Sequence, residues 1–341
     1  LKVGILTGGG DCPGLNPAIR GVVYRGLDFG FEFVGIQEGW RGLVQGIYEP
    51  LGLSDVEEII YQGGTMLGSS RTNPFKKDED LQAVLNNIKS AGFDAIVACG
   101  GEDTLGVAAK LFSQHGVPTV GVPKTMDNDL NHTDFTFGFD TAAGVGLEAL
   151  DRLRDTARSH RRVIVLEVMG RHAGWVAYYV GLAGGADWIT LPEEPLDLDA
   201  LAAHLSAVRA RGKKYALVVA SEGTDIPLEG QEKTVDSFGH VQLGDRRVGE
   251  FLAKEIEKRI GWETRSAVVG HVHRGGSPTL FDRVLGMRVG VKAAELVQNK
   301  EFGKMAALVG TEIVGVDIVA ATATLKTVPP ALLALARSTF K

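Results

Sequence analysis

Along this chain, short β-rich apolar runs alternate with stretches of helical period, and that alternation limits the fold more than any other feature. The runs are Val3–Thr7, Glu32–Gln37, Ala95–Cys99, Thr119–Val122, Val163–Val168, Ala216–Ala220, Ala267–His271 and Ala307–Thr311. Helical stretches such as Pro17–Leu27, Asp80–Ala91 and Val248–Ile260 lie between many of them. Strands joined through helices pair in parallel, and a parallel sheet is covered on both faces, so the expected class is α/β. Many of the runs end at a glycine, and the chain has 45 of them. In open parallel sheets ligands sit at the carboxyl ends of the strands, where loops must pass close by. The glycine distribution therefore suits an α/β protein that handles phosphates. Thr224–Asp245, polar and glycine-containing, reads as a loop or hairpin excursion.

Charge narrows the partners. The net charge is −6, which favours neither nucleic acid nor an anionic membrane surface. An acidic protein that binds phosphate must concentrate its cations locally, so the placement of Arg and Lys matters more than their number. No apolar run approaches the roughly 20 residues of a membrane helix, and Lys2-Val-Gly-Ile-Leu reads as a strand rather than a signal peptide. At 341 residues two domains fit. Cys12 and Cys99 have no metal-ligand spacing; they are expected to fill tight space in a protein of the reducing cytoplasm.

Six polar motifs follow strands. Thr7-Gly-Gly-Gly-Asp-Cys-Pro-Gly-Leu-Asn16 runs from a strand into a helix, where loop amides and the helix dipole can face an anion. It is neither G-x-G-x-x-G nor the Walker pattern, and by itself a tight turn would look the same. Gly100-Gly-Glu-Asp-Thr104 places two acids after a glycine pair, which could hold Mg²⁺ through water or merely cap a helix. Pro123-Lys-Thr-Met-Asp-Asn-Asp129 packs a cation, a hydroxyl, two carboxylates and an amide together. Phosphoryl transfer needs a carboxylate to take the acceptor's proton, a metal, and cations on the transferring group, and this segment can supply parts of all three. Met169-Gly-Arg-His-Ala-Gly174, Ser221-Glu-Gly223 and Gly270-His-Val-His-Arg-Gly-Gly-Ser-Pro278 complete the set. Arg171 and Arg274 offer bidentate forks for phosphate, and Glu222 could accept protons from sugar hydroxyls. The histidines lack zinc-ligand spacing.

In order, spacing and wording these motifs resemble the phosphofructokinase family, over roughly residues 2–222 and 262–300. The resemblance implies two Rossmann-like doubly wound domains: 1–138 with about 273–322 for the phosphoryl donor, and 139–272 with about 323–341 for fructose 6-phosphate. It implies that Asp127 is the base for the sugar 1-hydroxyl, with Thr125 and Asp129 alongside and Arg171 stabilising the transferring phosphoryl. Met169, Gly170, Arg171, Glu222, His271 and Arg274 match contacts to the sugar phosphate. Arg162 and Arg265 match arginines that reach the 6-phosphate from a neighbouring subunit, which implies a homodimer or homotetramer with shared sites. Gly9, Arg71, Gly101 and Thr104 match positions around the donor's phosphates, and Glu102 the acid associated with Mg²⁺.

Two positions depart from the ATP-using pattern. Asp103 stands where those enzymes have glycine, and Lys124 stands where glycine usually precedes the catalytic threonine. Both resemble the pyrophosphate-dependent branch. A carboxylate at 103 would crowd and repel an α-phosphate that pyrophosphate lacks, and Lys124 would add a point charge for the terminal oxygens. The expectation is reversible transfer from pyrophosphate to fructose 6-phosphate, with the ATP-dependent kinase as the alternative. A nicotinamide oxidoreductase lacks its glycine fingerprint, and a catalytically dead subunit would not retain the full set of acids, hydroxyls and arginines.

Overall fold

The computed structural model describes residues 1–227, 238 and 247–341. Its strands are β1 (Lys2–Thr7), β2 (Glu32–Ile36), β3 (Tyr48–Leu51), β4 (Ala95–Gly100), β5 (Thr119–Pro123), β6 (Val163–Val168), β7 (Trp188–Thr190), β8 (Ala216–Ser221), β9 (Thr264–Val268), β10 (Lys304–Val309) and β11 (Glu312–Asp317). The helices are α1 (Leu15–Asp28), α2 (Trp40–Gln45), α3 (Leu53–Val56), α4 (Asp78–Ala91), α5 (Glu102–His115), α6 (Phe139–His160), α7 (Trp175–Ala183), α8 (Leu198–Ala210), α9 (Val248–Ile260), α10 (Leu280–Gln298), α11 (Ile318–Ala323) and α12 (Pro330–Thr339).

Two sheets form, with strand orders β11-β10-β5-β4-β1-β2-β3 and β7-β8-β6-β9. The second is wholly parallel, whereas the first carries an antiparallel strand at each edge. Alternate residues of each central strand face opposite ways, and the burial follows that pleat. On β6, Ile164, Leu166 and Val168 enter a core that also takes Val3 and Ile5 of β1, Leu150 of α6 and Val289 of α10. Val163 and Val165 turn to the other side, onto α8 and α9. Leu6, Ile96 and Ala98 face a third cluster with Leu43, Ile88 and Leu105. One continuous core thus lies between the sheets, and a further helix layer covers each outer face.

The order of strands fixes where a ligand can go. The chain leaves β1 for β2 on one side and returns to β4 on the other; likewise β9 joins β6 on the side away from β8 and β7. Each reversal opens a crevice beyond the strand ends. The loops after β1 and β4 flank one crevice, and those after β6 and β9 flank the other.

Sequence and structure differ in detail. The run Ala267–His271 is strand only to Val268; Val269 already adopts helical φ and ψ of −77° and −43°, and Gly270–Arg274 winds into a 3₁₀ turn. The run Ala307–Thr311 is likewise shifted: its strand begins at Lys304 and ends at Val309, because Gly310, at φ 60°, turns the chain into β11. The short or edge strands β3, β7 and β11 carry no buried apolar run of their own, so periodicity does not reveal them. Of the Thr224–Asp245 excursion only Thr224–Pro227 and Phe238 fall within the described residues.

Candidate active site

The loops after β1, β4, β5, β6, β8 and β9 converge on one cleft of about 300 Å³. Its walls include Gly9, Gly10, Arg71, Gly101, Glu102, Asp103, Thr104, Lys124, Thr125, Asp127, Asp129, Met169, Arg171, Glu222, His271 and Arg274. Chain segments more than 250 residues apart in sequence thus supply one surface with carboxylates and cations interleaved.

On the side of the first sheet, tight turns bring backbone to the cleft. Gly9 adopts φ 78°, a conformation that disfavours any side chain, and a Cβ there would lie 3.4 Å from the Lys124 ammonium. Its N–H donates to the Ser70 carbonyl at 3.0 Å, so this amide is engaged within the protein rather than aimed at a ligand. Thr104 is buried, and its carbonyl accepts from the Trp40 indole at 3.2 Å. Glu102 and Asp103 form the first turn of α5, where the helix dipole favours their negative charge. Lys124 is buried, and its ammonium donates to the Gly10 carbonyl at 2.6 Å. Burial holds that ammonium below the usual lysine range, against the pull of Cys12, Asp129 and Asp127.

The acids lie at the seam. The Asp127 N–H donates to Thr125 Oγ1 at 3.0 Å, closing a turn that carries both carboxylates into the cleft. Asp127 Oδ1 is enclosed and has no hydrogen-bond partner among the described residues. Burial and then the neighbouring Asp129 push the Asp127 carboxyl up to about 7, with Glu222 adding to the rise and Arg274 and Arg171 opposing it. A carboxyl with that affinity exchanges its proton near neutrality, as a general base or acid requires.

On the side of the second sheet, side chains tie the loops to one another. The Gly170 carbonyl accepts from Ser221 Oγ at 2.6 Å and from the Gly223 N–H at 3.0 Å, while Gly170 N–H faces Glu222 Oε1 at 3.3 Å. Gly170 has φ 141°, and a Cβ would meet the Ala173 carbonyl at 2.9 Å, so this crossing requires glycine. Its neighbours Met169 and Arg171 line the cleft, whereas Gly170 itself does not. Arg274 reaches across to donate to the Asp11 carbonyl at 3.0 Å, joining the two sheets' loops.

Besides Gly170, two expected contacts are not brought there. Arg162 and Arg265 are absent from the cleft wall, and both meet Glu263, at 3.3 and 2.9 Å, beside the open edge strand β9. Val268 on that edge and Val272 in the turn that follows are exposed apolar side chains, as are Leu280 and Val284 at the start of α10.

Sequence reasoning missed the supports beneath the site. Buried Asp282 accepts from the Thr141 N–H at 2.8 Å and its hydroxyl at 2.6 Å, pinning the start of α10 to the start of α6. Buried His273 sits 2.8 Å from the Ala142 carbonyl and anchors the turn that bears His271 and Arg274. Lys326 bonds to the loop that follows Asp127. An Asp inside a helix and a His between a valine and an arginine read as ordinary; only their burial distinguishes them. Cys12 and Cys99 are buried and free, and their burial pushes both thiols up to about 12, so they are inert packing.

Comparison with known proteins agrees with this geometry. The family described as Phosphofructokinase matches residues 2–297. The pyrophosphate–fructose 6-phosphate 1-phosphotransferase of Dictyoglomus thermophilum is 53% identical over 335 residues, which cover 97% of this chain and 96% of that protein. An ATP-dependent 6-phosphofructokinase 3 of Streptomyces coelicolor is 48% identical over 336 residues, 97% of each chain. Among solved structures, phosphofructokinase from Saccharomyces cerevisiae superposes with a TM-score of 0.80 at 28% identity; the match covers 99% of this chain and 46% of the yeast chain. In sequence, in fold and in the loops that meet at its cleft, this chain belongs to the phosphofructokinase family.

Proposed function

We propose that this enzyme transfers a phosphoryl group reversibly from pyrophosphate to the 1-hydroxyl of fructose 6-phosphate, giving fructose 1,6-bisphosphate and phosphate. The observation that carries the reading is the Asp127 carboxyl, one oxygen enclosed and unpartnered among the described residues, between a donor wall that bears Arg71 and Lys124 and the Arg171–Glu222 wall. Phosphoryl transfer is mostly positioning and charge stabilisation. Asp127 takes the proton of the sugar hydroxyl as that oxygen attacks phosphorus. Arg171 and Lys124 stabilise charge on the transferring group and the leaving phosphate. In the reverse direction Asp127, now protonated, returns the proton to the departing oxygen.

The division of labour we propose gives 1–138 with about 273–322 to the donor, through Gly9, Arg71, Gly101, Asp103, Thr104 and Lys124. It gives 139–272 with about 323–341 to the sugar phosphate, through Met169, Gly170, Arg171, Glu222 and His271, and Arg274 reaches the sugar phosphate from the start of the donor's second segment. Mg²⁺ fits this site as an ion carried by the donor. Among the described residues no three His, Cys, Asp or Glu side chains form a metal cage, and Mg²⁺ is ordinarily held by one or two carboxylates together with substrate phosphates. Glu102 would hold it, with Asp103 adjacent; bound there, the ion neutralises charge on the phosphates.

Pyrophosphate is favoured over ATP by the position of Asp103. A second hollow, of about 530 Å³, adjoins the cleft, and Glu102 and Asp103 line both. A nucleotide extending from the cleft into that hollow would carry its α-phosphate against the Asp103 carboxylate, and pyrophosphate has no such group. The sugar side, in turn, supports a homodimer or homotetramer. Arg162 and Arg265 stand at an apolar-flanked open edge, placed to reach a second copy's site rather than their own. Among the described residues no helix is long and apolar enough to cross a membrane. Two free thiols favour a reducing cytoplasm, and a net charge of −6 favours neither nucleic acid nor an anionic membrane as partner.

The test is a coupled aldolase assay of the purified protein with fructose 6-phosphate and Mg²⁺, supplied first with pyrophosphate and then with ATP. Turnover with pyrophosphate and little with ATP is expected. A preference for ATP would move the chain to the kinase alternative.

A further inference from the structure

Asp127 and Asp129 lie on a segment, 125–134, with no helix or strand of its own. Asn128 and His132 sit in the left-handed region at φ 52° and 59°, a conformation that a non-glycine residue keeps only when its surroundings impose it. The surroundings are a strap, 324–328, which runs between α11 and α12 at the far end of the chain. The Asn131 amide donates to the Thr324 carbonyl at 3.0 Å and to its hydroxyl at 2.8 Å. Leu130 and Leu325 form an antiparallel bridge, and the Lys326 N–H donates to the Asp129 carbonyl at 2.8 Å.

The Lys326 side chain goes further. Its ammonium donates to Asn128 Oδ1 at 3.0 Å and to the Thr133 and Asp134 carbonyls, both at 2.9 Å. An ammonium has three protons and accepts nothing, so all three are spent inside one turn of the acid loop. On its other side the strap holds the second sheet. The Lys326 carbonyl accepts from the Trp175 indole at 2.8 Å, and the Trp175 ring lies 5.5 Å from the ammonium. Glu193 Oε1 accepts from both the Val328 and Gly174 N–H groups at 2.9 Å. Gly174 and Trp175 open α7, directly after the Arg171 loop. One five-residue strap thus joins the loop of the base to the loop of the transferring phosphoryl's arginine.

We propose that Lys326 is a positioning residue for phosphoryl transfer: its ammonium fixes the Asp127–Asp129 turn and offsets the negative charge that Asp129 presents to Asp127. The charged groups facing it are Asp129 and Asp134, from the acid loop; α7 presents the neutral Trp175 ring, and Glu193 is engaged by the backbone N–H groups of Val328 and Gly174. Burial pushes the ammonium down to about 8 despite both aspartates, so its charge is itself sensitive to conditions slightly above neutrality. The inference rests on the phosphoryl-transfer reading for its mechanism, but its physical content, the effect of Lys326 on Asp127, does not require turnover.

Three full-length variants test it: Lys326→Met, Lys326→Gln, which keeps two donors without the charge, and Lys326→Arg. Each is assayed for kcat and for KM toward fructose 6-phosphate. The Asp127 carboxyl is titrated in each by ¹³C NMR, its signal assigned by loss in Asp127→Asn. In Lys326→Met we expect kcat to fall about 10- to 100-fold with KM changed by less than about threefold. The Asp127 midpoint should move to higher pH in Lys326→Met and Lys326→Gln and return in Lys326→Arg. An unmoved midpoint in either neutral variant, or a rise in KM with kcat intact, overturns the proposal. If Lys326→Met fails to fold, Lys326→Gln carries the same decision. Wild-type protein inactive with both donors would sink the functional reading, while the titration would still decide the role of Lys326.

Discussion

The two walls of the cleft are built differently. The wall from the first sheet is made of backbone turns and residues packed beneath them: Gly9 at a left-handed φ, Thr104 buried under Trp40, Lys124 bonded to the Gly10 carbonyl. Every cation and acid assigned to the donor lines the cleft in a single chain. The wall from the second sheet is made of side chains that tie loop to loop, through Ser221, Glu222 and Arg274, and it leaves Arg162 and Arg265 outside. A site for a small, symmetrical anion can be finished within one chain by turns and helix starts. A site that must also hold a 6-phosphate some distance from the reacting oxygen has room for cations supplied by a neighbour. On the proposed reading the contrast separates a wall complete in one chain from one that a second copy completes, and each can be broken alone.

The largest effect should come from the seam that serves both. Asp127→Ser removes the base and is expected to lower kcat by about 10²–10⁴ with KM for both substrates little changed. Steady-state kinetics checks this, and near-normal kcat would take Asp127 out of that role.

Next comes the donor wall alone. Two unit charges about 4 Å apart at an effective dielectric near 20 repel by roughly 4 kcal/mol, and even a third of that is close to tenfold. Asp103→Gly should therefore raise kcat/KM for ATP by about tenfold or more and open the route to the adjoining hollow. Adding Lys124→Gly should weaken pyrophosphate, and because the two residues face one small anion the changes should not add. The ratio of kcat/KM for the two donors across wild type, both single variants and the double variant is the measurement. A ratio that Asp103→Gly leaves unmoved would remove Asp103 as the selector.

The sugar wall breaks by a different route. Arg162→Ala and Arg265→Ala should each raise KM for fructose 6-phosphate by about tenfold or more, the loss of a charged hydrogen bond being worth about 1.5–3 kcal/mol, with KM for pyrophosphate unchanged. Sedimentation of the wild type alongside gives the sharper reading. A fully active monomer would show that this wall is complete in one chain and that the contrast is false.

How far the sequence carries differs between the walls for the same reason. Long buried strands such as Ala95–Cys99 and Val163–Val168 are legible because both their faces are apolar, and the motifs that follow them are legible because function concentrates odd residues after a strand. Asp127, Arg171 and Glu222 were read that way, and the cleft contains all three. The antiparallel strands β3 and β11 were not, since an edge strand need be apolar on one face at most. The supports were hidden for another reason. Lys326, His273 and Asp282 act through burial and long-range contacts, and sequence spacing says nothing about a partner 130 to 200 residues away. Gly310 is visible in the sequence, but that it ends its strand is a matter of φ rather than of composition.

The smallest effect is a pH dependence, and it tests whether Asp127 belongs equally to both walls. Burial and Asp129 raise its carboxyl to about 7. The forward reaction needs the ionised form, so kcat/KM measured toward fructose 1,6-bisphosphate formation should fall about tenfold per unit as the pH drops below that value. The reverse reaction needs the protonated form, so its kcat/KM should hold at low pH and fall as the pH rises past the same point. Two limbs of opposite sign that share one midpoint would identify a single group working in both directions. The cations tune that midpoint from either side, Arg274 and Arg171 lowering it. Losing the Arg171 guanidinium should therefore move both limbs to higher pH together, apart from its effect on rate. Limbs that separate, or a forward limb that stays flat down to pH values near the ordinary carboxylate range, would mean that proton transfer is not routed through Asp127 and that the seam lies elsewhere.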